Sequence, residues 1–221
     1  MLLQALLVAH IVVLGYWLGS ELVINSTYRY VSWSSGMPFA DRERLMDHVM
    51  DVDQHVRYAL VLQAGLGTAL AALYGFFPGG VPLAIGAAVA TVCWLALVEA
   101  THRLRRTDAG RRLAALDRGI RYALAAFLVA LGLAALGGSI PALPSWLGWK
   151  LLAFAGVIAC GVGIRFALMA FYGTWEEIAR KGSNEERERA VRATYVRATS
   201  LLGLLWLFIA AITVLSLLKP G

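Results

Sequence analysis

Charged side chains are scarce in this sequence. Asp, Glu, Lys and Arg make up 15% of its 221 residues, whereas hydrophobic residues make up 59%. Soluble domains contain about 25% charged residues, so the scarcity excludes an ordinary soluble domain and predicts an integral membrane protein in a lipid bilayer. The net charge of +6 would suggest nucleic acid as the partner of a soluble protein, but no nucleic acid partner is expected for a membrane chain.

Cysteine and histidine are also rare, with two and four copies. Cys93 and Cys160 both fall inside apolar stretches, which argues against a disulfide framework and favours a role as small packing residues. A cytochrome with two bis-histidine haems would need its four histidines at two depths. Here His48 lies in an interfacial segment and only His10 is expected in the outer leaflet, so this class is not expected.

Several catalytic motifs are absent. The sequence contains no glycine-rich phosphate loop, no Gly-x-Ser-x-Gly and no paired thiols, and it lacks the acidic residue on every apolar stretch that is typical of a proton pump. Nucleophilic hydrolysis and nucleotide use therefore have no support in the sequence.

Apolar stretches long enough to cross a bilayer are present instead. They cover residues 2–24, 57–76, 81–101, 119–137, 146–172 and 197–218. We therefore predict an all-α fold: a polytopic membrane bundle of six transmembrane helices that forms one domain over residues 1–221. No basic region precedes the first stretch and no cleavage site follows it, so it is expected to be a retained helix at the start of the mature chain.

The basic residues are distributed unevenly. Eighteen of the 20 Lys and Arg residues lie in three segments, 29–57, 103–121 and 165–197. Basic residues beside transmembrane helices remain in the cytoplasm. These segments are therefore expected to be cytoplasmic and both termini to be outside, in a bacterial inner membrane.

The chain reads as three successive hairpins, 1–76, 81–137 and 146–218. The stretches "DQHVRYAL" and "DRGIRYAL" match in register at the start of the second and fourth helices. This match indicates a weak internal repeat.

Two cytoplasmic segments have helical patterns. "FADRERLMDHVMDV" alternates charged and apolar residues and predicts a short amphipathic helix lying in the membrane interface. "SNEERERAVRATYVRATSLL" predicts an extension of the sixth helix by about three turns. Ser183 is its expected N-cap and its charge run is expected to be a solvated surface.

One face of the first helix carries polar side chains. At about 100 degrees per residue, four residues fall on one side: His10, Trp17, Glu21 and Tyr28. Lipid cannot satisfy such groups, so this stripe is expected to face the protein interior. Alternatively, His10 is a hydrogen-bonded core histidine and Trp17 is packing.

Glu99 and His102 form an E-x-x-H pair at the inner end of the third helix, a spacing that metal sites in helical bundles use. The topology brings further carboxylates and imidazoles to a similar depth, and such a mixed set suits a divalent or transition metal ion. The predicted metal ligands are Glu21, Asp53, His55, Glu99, His102 and Asp117. The alternative is a network of ion pairs with Arg57, Arg121 and Arg165.

Arg165 lies about two turns inside the fifth apolar stretch, which is a costly position. It is expected to pair with Glu21 or Glu99. A second hypothesis is that it binds an acidic ligand group, such as a haem propionate or a phosphate.

Two regions resemble the bacterial CopD and HemJ group of membrane proteins. The first is "ALLVAHIVVLGYWLGSELVINSTYRYV". The second is "WLGWKLLAFAGVIACGVGIRFAL" together with "VRATSLLGLLWLFIAAITVLSLLKP". The resemblance covers about 70 residues near the two ends, and the hairpin 81–137 has no counterpart in the HemJ pattern.

This resemblance implies a haem-b-associated redox protein or a copper-handling protein. The group's first-helix histidine falls on His10 and its lysine on Lys150, and Arg165 joins them as a cofactor-binding candidate. Its Gly-Tyr-His segment is replaced here by residues 160–163, so the resemblance implies a five-coordinate haem or a copper site and not a six-coordinate haem.

Three functional hypotheses follow. The leading one is a haem- or transition-metal-binding membrane protein with a redox or copper-handling role, working with a membrane or periplasmic protein partner. The second is a cation carrier with a cytoplasm-facing Glu/His site. The third is a non-catalytic assembly factor, in which the polar stripe serves only helix packing.

Overall fold

The computed structural model describes residues 1–140 and 142–219, and within these ranges it is all-α. The helices are α1 (Leu2–Trp33), α2 (Phe39–Leu73), α3 (Gly80–Arg103), α4 (Asp108–Leu136), α5 (Ser145–Lys181) and α6 (Glu185–Leu218). Each of the six is long and apolar enough to cross a membrane. The prediction of an all-α, multi-pass membrane protein is confirmed.

The start of α3 depends on glycine. Gly79 and Gly80 have φ angles of 114° and 45°, in the left-handed region that side chains with a Cβ disfavour. These two residues let the chain reverse from α2 into α3 within a short turn.

The start of α6 differs from the prediction in one residue. Asn184 is the N-cap, and its side-chain oxygen accepts a hydrogen bond of 2.8 Å from the backbone nitrogen of Arg187. The hydroxyl of Ser183 instead donates to Glu188, at 2.6 Å. The prediction of Ser183 as the N-cap was therefore wrong, because its hydroxyl is engaged by a carboxylate one turn into the helix.

The sequence pattern predicts a separate, short interfacial helix that begins at Phe39. Within the described residues 1–140, the structure shows no such separate helix. The segment is the first part of α2, which runs without interruption to Leu73. Met46 and Val49 are buried, because the apolar face of this segment packs on protein side chains of other helices. Charged residues on the opposite face remain exposed, which explains the alternating pattern.

The chain divides into two compact units. The first comprises Met1–Leu22, Asp51–Ala123 and Ile140–Pro144. The second comprises Val23–Met50, Leu124–Ser139 and Ser145–Gly221. Their boundaries do not follow the three predicted hairpins, and α1, α2 and α4 each contribute to both units.

Aromatic side chains form the core of the second unit. The ring of Tyr28 meets the rings of Phe171 and Tyr195 edge-on, with centroids 5.0 and 5.2 Å apart. Phe171 also stacks on Trp175 at 4.9 Å. Such contacts contribute roughly 0.5–1.5 kcal/mol each beyond the area that they bury. They hold the end of α1 against α5 and α6.

A buried ion pair lies beside this core. Arg42 and Glu188 are 1% and 3% exposed, and the two side chains contact one another at 2.7 Å. The guanidinium also lies 4.9 Å from the ring centroid of Trp175. The prediction that the charge run at the start of α6 is entirely solvated was wrong at Glu188, because Arg42 provides it with a buried partner.

Helices α4 and α5 approach closely at two glycines. A Cβ atom on Gly132 would lie 2.9 Å from the backbone oxygen of Gly148, and one on Gly148 would lie 3.1 Å from the oxygen of Gly132. Small residues allow this approach, as is typical of helix pairs in membranes.

Candidate functional site

A groove in the first unit lies between α1, α2 and α3. Its volume is about 440 Å³, within the range of small-molecule sites. Its walls are mainly apolar, with three polar groups. The lining residues are Tyr16, Tyr58, Leu62, Leu95, Ala96 and Glu99.

Helical periodicity explains how these residues come together. Tyr58 and Leu62 are four positions apart on α2, and Leu95 and Glu99 are four positions apart on α3. Side chains at this spacing share one face of a helix. Helix α2 therefore contributes one polar and one apolar group, and α3 contributes Glu99 with Leu95 and its neighbour Ala96. Tyr16 from α1 adds a second phenol.

The carboxylate of Glu99 accepts hydrogen bonds from two partners. The hydroxyl of Tyr58 donates from α2, and Nε of Arg103 donates from the next turn of α3. The side chain of Arg103 is 76% exposed and that of Glu99 is 35% exposed. Solvent screens a pair of this kind, so Arg103 is a weakly held counterion.

The second phenol contacts a histidine. The hydroxyl of Tyr16 lies 2.5 Å from Nδ1 of His55, and the two rings meet edge-on with centroids 5.8 Å apart. The phenol donates this hydrogen bond when Nδ1 carries no proton. His55 is therefore held beside the groove by one of its lining residues.

Three of the four residues of the predicted polar stripe on α1 are buried, and the fourth, His10, is half-buried. Trp17 and Glu21 are 3% and 7% exposed in the first unit, and Tyr28 is 3% exposed in the second. The indole nitrogen of Trp17 donates to Glu21 at 3.3 Å. The prediction that this face of α1 is turned toward the protein is confirmed at these three positions.

His10 is half-buried and lies against α2. Its Cε1 atom would be 3.6 Å from a Cβ atom on Gly67, and its backbone oxygen accepts a 2.8 Å hydrogen bond from Nε2 of Gln63. The imidazole therefore packs on the α2 backbone at a glycine, and its role as a ligand or as a core histidine stays a prediction.

Two other predicted metal ligands, Asp53 and Asp117, pair with arginines one turn away. Asp53 contacts Arg57 at 2.8 Å and Asp117 contacts Arg121 at 3.0 Å. The indole nitrogen of Trp94 also donates to Asp117 at 2.8 Å. Ion pairs with arginines were the alternative to a metal site in the sequence analysis, and these two carboxylates form such pairs.

No group of three or more His, Cys, Asp or Glu side chains is placed to hold a metal ion within residues 1–140 and 142–219. Glu99 and His102 share the end of α3, but no third ligand joins them there. Glu21 takes part in none of the ion pairs found in the described part of the first unit.

The predicted cofactor-binding residues are divided between the units. His10 belongs to the first unit, whereas Lys150 and Arg165 belong to α5 in the second. Lys150 is half-buried and Arg165 is exposed. A shared haem or copper site for these three residues stays a prediction.

Sequence reasoning missed the two tyrosines. Tyr16 adjoins the tryptophan of the polar stripe, and Tyr58 lies inside the repeated "RYAL" stretch. The available signal was the position of each phenol toward the predicted inner end of its apolar stretch, at a predicted depth similar to that of Glu99. Tyrosines at such positions are common at membrane interfaces, so the pattern did not distinguish them.

No protein-family model, no curated protein and no solved structure matches this chain. The resemblance to the CopD and HemJ group accordingly stays a prediction, and the functional argument rests on the geometry of the groove.

Proposed function

We propose that the protein is a carrier for a lipophilic organic cation in the bacterial inner membrane, and that the groove of the first unit is its binding site. The observation that carries this proposal is the composition of the groove. Two phenols and one carboxylate, Tyr16, Tyr58 and Glu99, lie in a cavity whose walls are otherwise apolar. An apolar cation requires this combination: surfaces for its hydrocarbon part and a negative group for its charge.

The donor set favours an organic cation over a metal ion. Hard divalent cations take six or more oxygen ligands or a compact set of carboxylates, whereas this groove has a single carboxylate. Aromatic faces attract ammonium groups through the ring quadrupole, as in aromatic cages for quaternary ammonium ligands. Tyr16 and Tyr58 supply two such rings beside Glu99.

Charge balance is maintained when the cation binds. The counterion of Glu99 in the structure is Arg103, which is mostly exposed and extends from the same helix. We infer that the bound cation takes its place and that the guanidinium moves into solvent. The cost of this exchange is small because solvent already screens an exposed pair at this spacing.

The distribution of basic residues supports the cytoplasm-facing orientation that the carrier hypothesis expects. Glu99 lies four residues before the Arg-rich segment 103–121, and His55 lies within the segment 29–57, which contains four Arg residues. By the positive-inside rule these ends face the cytoplasm. The groove is accordingly proposed to take up or release its cation on that side.

Binding of tetraphenylphosphonium to the purified protein tests this proposal. We expect saturable binding that Glu99→Gln weakens at least tenfold, because the substitution removes the only carboxylate in the groove. Glu176→Gln is the matched control, since Glu176 forms an exposed i,i+4 pair with Arg180 outside the groove. The affinity of this variant for tetraphenylphosphonium should equal that of the wild type. No saturable binding, or equal losses in the two variants, would overturn the proposal.

Transport is tested separately in proteoliposomes. Under a potential that is negative inside, tetraphenylphosphonium should enter protein-containing vesicles at a higher initial rate than protein-free vesicles, and Glu99→Gln should abolish the excess. Saturable binding without any excess uptake would make the protein a binding protein and not a carrier.

A further inference from the structure

The segment from the last residue of α3 through the first three turns of α4 carries a dense basic surface, which we call the basic connection. Its residues lie between the end of one predicted span and the beginning of the next, within a single compact unit. The arginines of the basic connection are Arg103, Arg105, Arg106, Arg111, Arg112 and Arg118.

Half of these arginines are neutralised by acidic neighbours. Arg103 pairs with Glu99, Arg105 lies 3.5 Å from Asp51, and Arg111 pairs with Asp108. The other three are Arg106, Arg112 and Arg118. In the part of the chain that the structure describes, these three form no ion pair. The connection therefore has three positive charges without a protein counterion.

Apolar side chains are exposed among these charges. Leu104 is 39% exposed and Leu116 is 54% exposed. The connection also joins the apolar stretches 81–101 and 119–137 directly, so it must lie at the membrane surface if both stretches cross the bilayer. Exposed leucines beside uncompensated arginines match the boundary between phospholipid headgroups and acyl chains.

We propose that the basic connection binds the headgroups of anionic phospholipids through Arg106, Arg112 and Arg118. The guanidinium group bonds phosphate oxygens in pairs, and the exposed leucines give a lipid an advantage over a free phosphate. Each basic residue at a membrane surface strengthens attraction to anionic lipid by about fivefold. This inference is independent of the groove and of the proposed carrier function.

Native mass spectrometry of the purified protein in neutral detergent tests the inference, with phosphatidylglycerol and phosphatidylcholine of identical acyl chains as probes. We expect the wild type to bind phosphatidylglycerol more tightly than phosphatidylcholine. The ratio of the two affinities should fall at least tenfold in the triple variant Arg106→Gln, Arg112→Gln, Arg118→Gln, because each arginine contributes about fivefold. Arg106→Gln and Arg112→Gln, at two exposed positions, should each give part of the loss if the triple variant does not fold.

The matched control removes three exposed arginines elsewhere: Arg44, Arg180 and Arg189. Their replacement by Gln lowers the net charge equally and should leave the lipid preference unchanged. The inference is overturned if this control loses as much as the triple variant, since net charge would then explain the attraction. It is also overturned if glycerol phosphate displaces the lipid at equal concentration, because a soluble phosphate would then be the ligand.

Discussion

Arg42 and Glu188 form a two-point ion pair across 146 positions of the sequence, with Nη1 2.7 Å from Oε1 and Nη2 2.9 Å from Oε2. Nε of the same guanidinium donates to the backbone oxygen of Val31 at 3.2 Å. One buried side chain on α2 thus connects the end of α1 with the start of α6. All of these contacts lie within the second unit.

Removal of one partner of this pair should be strongly destabilising. Arg42→Gln leaves the buried carboxylate of Glu188 without its counterion, which costs about 3–5 kcal/mol. The free energy of unfolding, measured by circular dichroism during titration with sodium dodecyl sulfate, should fall by that amount. Arg189→Gln is the control, because Arg189 forms an exposed pair with Glu185 and should change stability by less than about 1 kcal/mol. Equal effects of the two substitutions would contradict the role of the buried pair.

The same pair predicts a loss of stability in acid. Glu188 precedes the apolar segment 197–218. Burial alone raises the pKa of its carboxyl group, but hydrogen bonds from Arg42 and Ser183 outweigh burial and hold the pKa below the ordinary value of 4.5. A lowered pKa in the folded state stabilises the protein fully above about pH 4.5, and this contribution disappears as the pH falls through the folded-state value.

Unfolding free energies of the wild type and of Glu188→Gln between pH 7 and pH 3 measure this effect. The wild type should lose part of its advantage over the variant below the ordinary pKa of Glu188, because the variant has no carboxyl group to protonate. Parallel pH profiles of the two proteins would show that Glu188 does not contribute.

The contact between α4 and α5 should not tolerate a methyl group. Gly132→Ala places a Cβ atom 2.9 Å from the oxygen of Gly148, and the overpacking should cost about 1–3 kcal/mol. Gly203→Ala is the matched control on α6, where nothing lies within 4 Å of the added atom. It should leave stability unchanged or raise it by up to about 1 kcal/mol, since alanine favours the helix. A neutral Gly132→Ala would rule out a tight approach.

The haem or metal hypothesis has a direct spectroscopic test. If His10 is an axial or metal ligand, the purified protein must have a Soret band or contain stoichiometric metal, and His10→Ala must lose it. Elemental analysis and an absorption spectrum of the same preparation measure both. A wild-type preparation with neither property would dismiss His10 as a ligand and leave the groove as the candidate site.

The assembly-factor hypothesis predicts a different outcome at Glu21. This carboxylate is buried and accepts a hydrogen bond from Trp17. If the polar stripe serves only packing, Glu21→Gln should lower the unfolding free energy and leave binding of tetraphenylphosphonium unchanged. A variant that keeps its stability but loses binding would instead make Glu21 part of the binding machinery.

Local properties of the sequence determined the number of helices, their class and the buried face of α1. A run of about 20 apolar residues is sufficient to specify a transmembrane helix. The spacing of Trp17 and Glu21 specifies which side of that helix lipid cannot cover. Both inferences depend on residues close together in the chain, which explains why they were confirmed.

Tertiary structure alone decided the partners of the polar side chains. Glu99 bonds Tyr58 across 41 positions, and Glu188 bonds Arg42 across 146. Spacing along one helix predicts which side chains share a face, but it carries no information on which other helix lies opposite. The proposed carrier site and the buried ion pair are therefore products of helix packing, whereas the membrane-spanning framework that holds them is already specified by hydrophobicity.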